Sequence, residues 1–319
     1  MPRFVRCMLI FLSMYLLIAA NSQAYPERPI TIVVPFSTGG SADILARMVS
    51  EGLSTSLGKP VIVENRTGAG GTIAAAYAAK APADGYTLLM GVTATQTVAP
   101  FIYKNLQYDP EKDFKPIIPV AQIPVVFVVN AGIKADTLKE FLLFAKSQPA
   151  PMSYASAGTG GTSHLTGELF QSETKVVFTH IPYKGASPAM VDLLSGRVDM
   201  IFDHLPTVLA NIQNGKLKAL GVAGIQRAKA LPQVPTLKEA GVAGVEVNSW
   251  FGLLAPAGTP NAIVSKLHQE VQRYLMRPET QLRLASIGAE PMPMSSQEFS
   301  KQIEIDRKNW EKLMREINF

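Results

Sequence analysis

Cysteine is almost missing from this chain of 319 residues, and the single one, Cys7, lies close to the N-terminus. Disulfide frameworks, thiolate metal centres and a thiol nucleophile are thereby excluded from everything beyond it. Histidine is nearly as scarce. His164, His180, His204 and His268 show no metal-ligand spacing and no H-E-x-x-H, so no metal site is expected. Clustered positive charge is also lacking, and without a run of Lys and Arg no nucleic-acid partner is expected. There is no G-x-S-x-G elbow and no full G-x-G-x-x-G. Gly52 to Lys59 has one residue too many for a P-loop, and Pro60 stands where a hydroxyl is required, so no phosphate-bearing or other cofactor is expected. Past the N-terminus, no apolar run is long enough to span a membrane.

What is present begins with a three-part leader. Arg3 and Arg6 form a basic start, an apolar run follows from Cys7 to Ala20, and Asn21-Ser22-Gln23-Ala24 sets small residues at the minus-three and minus-one positions. This layout predicts export and cleavage after Ala24; an uncleaved anchor is the other reading. Cys7 lies inside the apolar run and not at its end, which argues against a lipid-anchored cysteine. Residues 1–24 hold two of the 30 Lys and Arg and none of the 25 Asp and Glu, so the remainder carries a net charge of +3. That mild excess suits a small anion.

Along residues 25–319, segments with strand and helix character alternate, which predicts an α/β architecture with mostly parallel sheets. Ile30 to Pro35 reads as a buried strand, and a helix follows from about Ser41 to Leu57, with Ile44, Leu45, Met48, Gly52 and Leu53 on its inner face. Between Lys115 and Val129, Pro116, Pro119 and Pro124 punctuate a long apolar stretch, as in an extended segment crossing between domains. Glu246 to Ala255 is a second crossing. Two crossings predict an inserted second lobe at 125–248, with 25–124 plus 249–319 as the first, and a hinge and cleft between them.

One pattern recurs in both lobes. Thr38-Gly39-Gly40-Ser41-Ala42-Asp43-Ile44 follows a strand and opens a helix, and so does Thr159-Gly160-Gly161-Thr162-Ser163-His164-Leu165. A third loop of the kind, Thr67-Gly68-Ala69-Gly70-Gly71-Thr72, precedes a helix at Ile73. A helix start has unpaired N–H groups and about half a positive charge, while glycine admits close approach and Ser or Thr adds a hydroxyl. Such a loop holds a carboxylate or phosphate oxygen without Lys or Arg. One from each lobe would clamp an acid across a cleft; taken singly, each is also explained as a tight turn before a capped helix.

At these loops the sequence resembles the Bug family, the periplasmic receptors of tripartite tricarboxylate transporters. The resemblance rests on Val34-Pro35-Phe36 with Gly39-Gly40 and Asp43, Glu64-Asn65-Arg66 with Gly68-Ala69-Gly70-Gly71, and Ala81 to Leu88. It continues through Tyr154-Ala155-Ser156-Ala157-Gly158, His164-Leu165, Pro182-Tyr183-Lys184-Gly185, Asp192-Leu193 with Gly196, Val198-Asp199 and Trp250-Phe251-Gly252. It implies a two-lobed periplasmic binding protein fold of type II. It also implies a receptor, and not an enzyme, that closes on a small carboxylate and hands it to an integral-membrane permease. A monomer is expected. Family ligands include di- and tricarboxylates, acidic amino acids and aromatic acids. By position, Phe36, Ser37, Thr38, Gly39, Gly40 and Ser41 form the first-lobe loop, and Ala157, Gly158, Thr159, Gly160, Gly161, Thr162 and Ser163 the opposing one. The loop Gly91 to Gln96, with Thr93, Ala94 and Thr95, is expected to line the cleft. Ser37-Thr38 and Thr67 depart from the family's frequent residues.

Single residues carry two readings each. Asp43 caps its helix or meets a ligand ammonium. His164 donates to the ligand or packs and caps. Tyr183 could close the cleft, with Lys184 solvated. Asp203 ends a strand and is expected at the rim. Phe36 and Trp250 are candidate walls or core. A secreted hydrolase using Ser163 and His164 is the rival from another class, and a ligand-sensing subunit a third.

Overall fold

The computed structural model describes residues 25–247 and 249–316, so the leader expected at 1–24 lies outside the described residues. The chain starts with strand β1 (Ile30–Val34), helix α1 (Ser41–Leu57), strand β2 (Val61–Asn65), helix α2 (Thr72–Ala79) and strand β3 (Thr87–Val92). The three strands are parallel with β1 in the middle, as right-handed crossovers through apolar-faced helices require. Helix α1 buries Leu45, Ala46, Met48, Val49 and Leu53 against this sheet. A short helix α3 (Ala99–Ile102) then leads to β4 (Phe114–Gln122), which runs out of the first sheet and, through Ile123 and Pro124, into β5 (Val125–Asn130) of the second.

The second lobe continues with α4 (Leu138–Ser147), β6 (Ser153–Ser156), α5 (Thr162–Thr174), β7 (Thr179–Pro182) and α6 (Ala186–Leu194). Strand β8 (Met200–His204), α7 (Leu205–Gln213) and β9 (Leu217–Val222) complete it. The chain returns in β10 (Trp250–Pro256), followed by α8 (Asn261–Leu275), α9 (Pro278–Ser286), β11 (Glu290–Pro291) and α10 (Ser296–Glu316).

The first sheet has six strands in the order β11-β4-β10-β3-β1-β2, and the second has five in the order β7-β6-β8-β5-β9. Each is mixed, which corrects the expectation of mostly parallel sheets. A parallel trio in each lobe is joined by antiparallel strands: β10 against β3 and β4, and β5 against β8 and β9. The physical reason is the crossing itself, because a strand that leaves one lobe for the other runs against the direction set by the βα units. Pro116 and Pro119 lie within β4, and its register against β10 slips beside each of them, where a ladder donor is lacking.

The two crossings are tied to each other by backbone bonds. Ile123 N–H donates to Ser249 O at 2.8 Å, Ala223 N–H to Val125 O at 2.8 Å, and Val247 N–H to Ala223 O at 2.9 Å. Behind the first sheet, buried Trp250 donates through Nε1 to Asp306 of α10 at 2.8 Å and meets Phe299 edge-on. The second lobe has its own aromatic core, where Phe127 stacks on Phe202 at 4.7 Å and meets Phe141 at 5.0 Å. The C-terminal ends of both parallel trios thus face one another, which is where α/β sheets place their ligands.

Candidate functional site

The two Thr-Gly-Gly loops adopt one backbone conformation. Gly39 and Gly160 take φ of +83° and +76°, values open to glycine at little cost. Gly40 and Gly161 are the N-caps of α1 and α5, at φ/ψ of −76°/165° and −75°/162°. Gly40 N–H donates to Ser37 O, and Gly161 N–H to Gly158 O. In each loop the side chain four residues beyond the first glycine accepts that glycine's N–H: Asp43 Oδ2 at 3.0 Å from Gly39, His164 Nδ1 at 3.2 Å from Gly160. Asp43 and His164 thus tie each helix's first turn back to the loop that precedes it, while the N-cap glycines themselves make no side-chain cap.

Both side chains are buried and held from behind. Asp43 also accepts from Arg47 (2.9 and 3.0 Å) and from Asn65 Nδ2 (3.0 Å), whose amide donates to Phe36 O as well. Burial alone would push its carboxyl up, but the bonds from Arg47, Gly39 and Asn65 outweigh that and hold it below the usual range. His164 stacks on His180 at 4.1 Å, and His180 in turn on Tyr154 at 4.7 Å. Burial lowers both imidazoles to about 4, so they are neutral at pH 7.

Between the loops lies a narrow cavity of about 30 Å³, lined by Phe36, Gly40, Ser41, Ala42, Val92 and Phe251 on one side. Ala157, Gly161, Thr162, Ser163, Ala186, Asp203 and His204 line the other. Four helices open onto it: α1 at Ser41, α5 at Thr162, α6 at Ala186 and α7 beside His204. No Lys or Arg is among the lining residues, so positive potential comes from N–H groups and helix dipoles. One side chain there stands out. The Ser41 hydroxyl is buried and makes no hydrogen bond within the protein, although such groups are normally satisfied.

At the floor, Asp203 accepts from the His204 N–H (2.8 Å) and from Thr207 Oγ1 (2.7 Å), and burial raises its carboxyl to about 6. His204, lowered to about 4 by burial, pairs through Nε2 with Ser249 Oγ at 2.7 Å and lies edge-on to Phe251. A larger cavity of about 400 Å³ lies against the crossings, with Arg227, Glu246 and Glu290 in its lining, each already paired with an opposite charge.

Of the residues named from the sequence, Phe36, Gly40, Ser41, Ala157, Gly161, Thr162, Ser163 and Asp203 line this one cavity. Gly39, Gly160 and Gly158 shape the loops from behind. Thr93, Ala94 and Thr95 are not among the lining residues. They form a helical turn and not an open loop: Thr93 Oγ1 accepts from Trp250 N–H at 2.9 Å, and Thr95 O accepts from Tyr108 at 2.6 Å. Only Val92 of that segment reaches the cavity. Tyr183 is also absent from the lining, its hydroxyl donating to Asp192 at 2.7 Å, and Trp250 is core. Residues that sequence reasoning missed are Ala42, Ala186, His204 and Phe251. The signal for Ala186 was available in Gly185 before a predicted helix; small apolar wall residues carry none.

Ser163 and His164 do not form a nucleophile–base pair. Ser163 Oγ accepts from Ala157 N–H at 2.9 Å, while the His164 ring is committed to Gly160.

Around the cavity the lobes touch directly. Ser187 Oγ donates to Thr38 O at 2.7 Å and Tyr103 hydroxyl to Thr159 O at 2.7 Å. A Cβ on Gly70, in the third glycine loop, would lie 2.5 Å from Thr159 O, and one on Gly185 only 2.1 Å from Ser37 Oγ. Glycine is required at both for this approach.

The profile of the tripartite tricarboxylate transporter family receptor matches residues 45–319. Protein BugT of Bordetella pertussis is 36% identical over 297 residues, covering 93% of this chain and 91% of the relative. Among solved structures, an R. palustris protein with adipate aligns with a TM-score of 0.89 at 37% identity, over 92% of this chain and 98% of that one. MatC of Rhodopseudomonas palustris with bound malate gives 0.87 at 34% identity, over 91% and 99%.

Proposed function

This chain belongs to the tripartite tricarboxylate transporter receptor family, and from that premise we propose that it captures a small carboxylic acid outside the cytoplasm and delivers it to a tripartite tricarboxylate transporter permease. The lobes, 25–124 plus 249–319 and 125–248, open about the paired crossings and close by the Ser187–Thr38 and Tyr103–Thr159 bonds. The carboxylate is held by the N–H groups that open α1, α5 and α6, with no chemistry performed on it.

The observation that carries this reading is the buried, unpaired Ser41 hydroxyl at the first turn of α1, inside the cavity onto which the helices open. A carboxylate oxygen there supplies the missing partner. Ligands of homologues, adipate and malate, belong to the same class. Export follows from the leader, and Tyr25 is already seated in the first lobe, its hydroxyl donating to Gly85 O at 2.7 Å, so cleavage after Ala24 keeps that contact. The working form is a monomer in the periplasm.

A thermal-shift screen of small acids against residues 25–319 tests the reading. A ligand at 100 times its Kd stabilises the native state by about 2.7 kcal/mol, a rise of several degrees. A set of hits containing no carboxylic acid overturns it. Loss of cellular uptake of the best hit on deleting the receptor tests delivery to the permease.

A further inference from the structure

The lobes also meet on the side of the crossings that faces away from the cleft, and strand order defines the two sides. In the first sheet, β3 and β1 lie on one flank of β4 and β10, and β11 on the other. In the second, β8 and β6 lie on one flank of β5, and β9 on the other. The cavity between the glycine loops is lined from the ends of β1, β3, β6 and β8. The cavity of about 400 Å³ belongs to the opposite flank. Gln122 and Glu290, on the paired β4 and β11, line it from the first lobe, and Ile225 and Gln226, just past β9, from the second. Its charged groups are already paired, so it makes no demand for a ligand.

Beside the crossings the lobes bear on each other. Gly288, at φ +73° in the corner before β11, lies so close to the start of α7 that a Cβ would stand 2.4 Å from Leu205 Cδ2. Leu205 N–H in turn donates to Pro124 O of the first crossing at 3.0 Å. On the same flank, Lys229 of the second lobe pairs with Glu290 of the first at 3.0 Å, the two side chains 82% and 41% exposed. The layout is that of a lever: a pivot at the crossings, contacts of the cleft on one arm and an open gap on the other.

Resting on the reading of the cleft as a carboxylate receptor that opens about the crossings, we infer that the 400 Å³ cavity is the travel space of the hinge. It is wide when Ser187 meets Thr38 and Tyr103 meets Thr159, and it narrows as those bonds part and Ile225 and Gln226 approach Gln122 and Glu290. The width of this gap therefore sets how much of the free protein is closed. A ligand that binds the closed form has its apparent affinity scaled by that fraction, so residues that no ligand touches control affinity from behind.

The test is a clamp across the back, Lys229→Cys with Glu290→Cys, in residues 25–319, which hold no cysteine of their own. A disulfide holds its Cα atoms about 4.4–6.8 Å apart, closer than a lysine and a glutamate meeting at their tips require, so oxidation fixes the gap narrow. The oxidised protein should have a larger radius of gyration by small-angle scattering than the reduced one. It should also bind malate or adipate, the probes used, at least ~10-fold more weakly, and reduction should restore both properties. A longer bis-maleimide spacer between the same cysteines keeps the gap wide, and should leave the protein compact with affinity at or above that of the reduced form. Cooperative melting of both forms shows that the expansion is hinge motion and not unfolding. A disulfide that fails to form, or an oxidised protein no larger than the reduced one, overturns the inference, as does unchanged affinity for a probe that the reduced form binds. Scattering needs no ligand, so it decides the coupling even where neither probe binds; a want of any acid ligand counts against the receptor reading alone.

Discussion

From Gly39 to Asp43 in the first lobe and from Gly160 to His164 in the second, the loops follow the same path through the same backbone bonds, yet close it with different acceptors. In the first, a charged Asp43 accepts the Gly39 N–H and needs Arg47 and Asn65 to balance its burial. In the second, a neutral His164 accepts the Gly160 N–H and is supported by stacking on His180. The difference teaches that the turn demands an acceptor and two glycines, but no particular charge. It has an electrostatic consequence. Asp43 offsets part of the positive end of α1, whereas α5 keeps its own in full. The first lobe makes up the difference with the free Ser41 hydroxyl; in the second, Ser163 Oγ accepts from Ala157 N–H and keeps its own proton to donate.

Breaking what the loops share should have the largest effect. Gly39→Val and Gly160→Val each force a β-branched residue into the left-handed region, at a cost of about 2 kcal/mol or more. Either should lower ligand affinity ~100-fold by calorimetry while melting stays cooperative. The Gly160 variant should be the worse, because its Cβ meets the Tyr103 ring at 3.1 Å, whereas at Gly39 the neighbour is the Ser187 hydroxyl, which can rotate away. Unchanged affinity in either variant would remove that loop from the clamp.

This shared backbone was legible in the sequence because its requirements are local: paired glycines, a hydroxyl residue and a helix start leave a signature in seven residues. The parallel trios were legible for the same reason, through alternating strands and helices. The reversal of β5 and β10 was not, since an apolar run reads alike in either direction. Thr93 to Thr95 look like a loop because threonine is a poor helix former, yet the bonds they accept from Trp250 and Tyr108 hold them in a helical turn. The walls Val92 and Phe251 belong to strands paired across the sheet, and only the β3–β10 register sets them side by side. A contact made by folding at a distance has no local signal to read.

Changing the hydroxyls separates the loops next. Ser41→Ala should lower affinity ~10–30-fold, the worth of a bond to a charged group, and leave the melting temperature equal or slightly raised, since the hydroxyl has no partner in the protein. Ser163→Ala should affect both measurements: it strands the Ala157 N–H, so melting should fall by ~2–4 °C, and it removes an O–H donor from the cavity lining, so affinity should fall as well. If both variants behave alike in the two measurements, the division of labour between the lobes is wrong.

Acid should separate them most gently, and in a definite order. The folded state holds His164 at about 4, below its ordinary value of 6.5, so the unfolded chain binds the extra proton and stability falls as pH drops from 6.5 towards 4. His180 and His204, lowered in the same way, add to that slope. Asp203, raised to about 6, works against it: its protonation favours the folded state over part of the same window. Asp43 has the opposite displacement from Asp203, and its contribution is kept until pH falls below the ordinary carboxylate range. The melting temperature should therefore drop by ~3–8 °C between pH 7 and pH 4.5, with the second lobe's loop loosening first. In His164→Asn, where an amide oxygen takes over the role that Asp43 plays in the other lobe, the drop should be shallower, and ligand affinity at pH 4.5 should fall less than in the wild type. An equally steep loss in that variant would place the acid sensitivity at His180 or His204 and leave the loops alike in their response to protons.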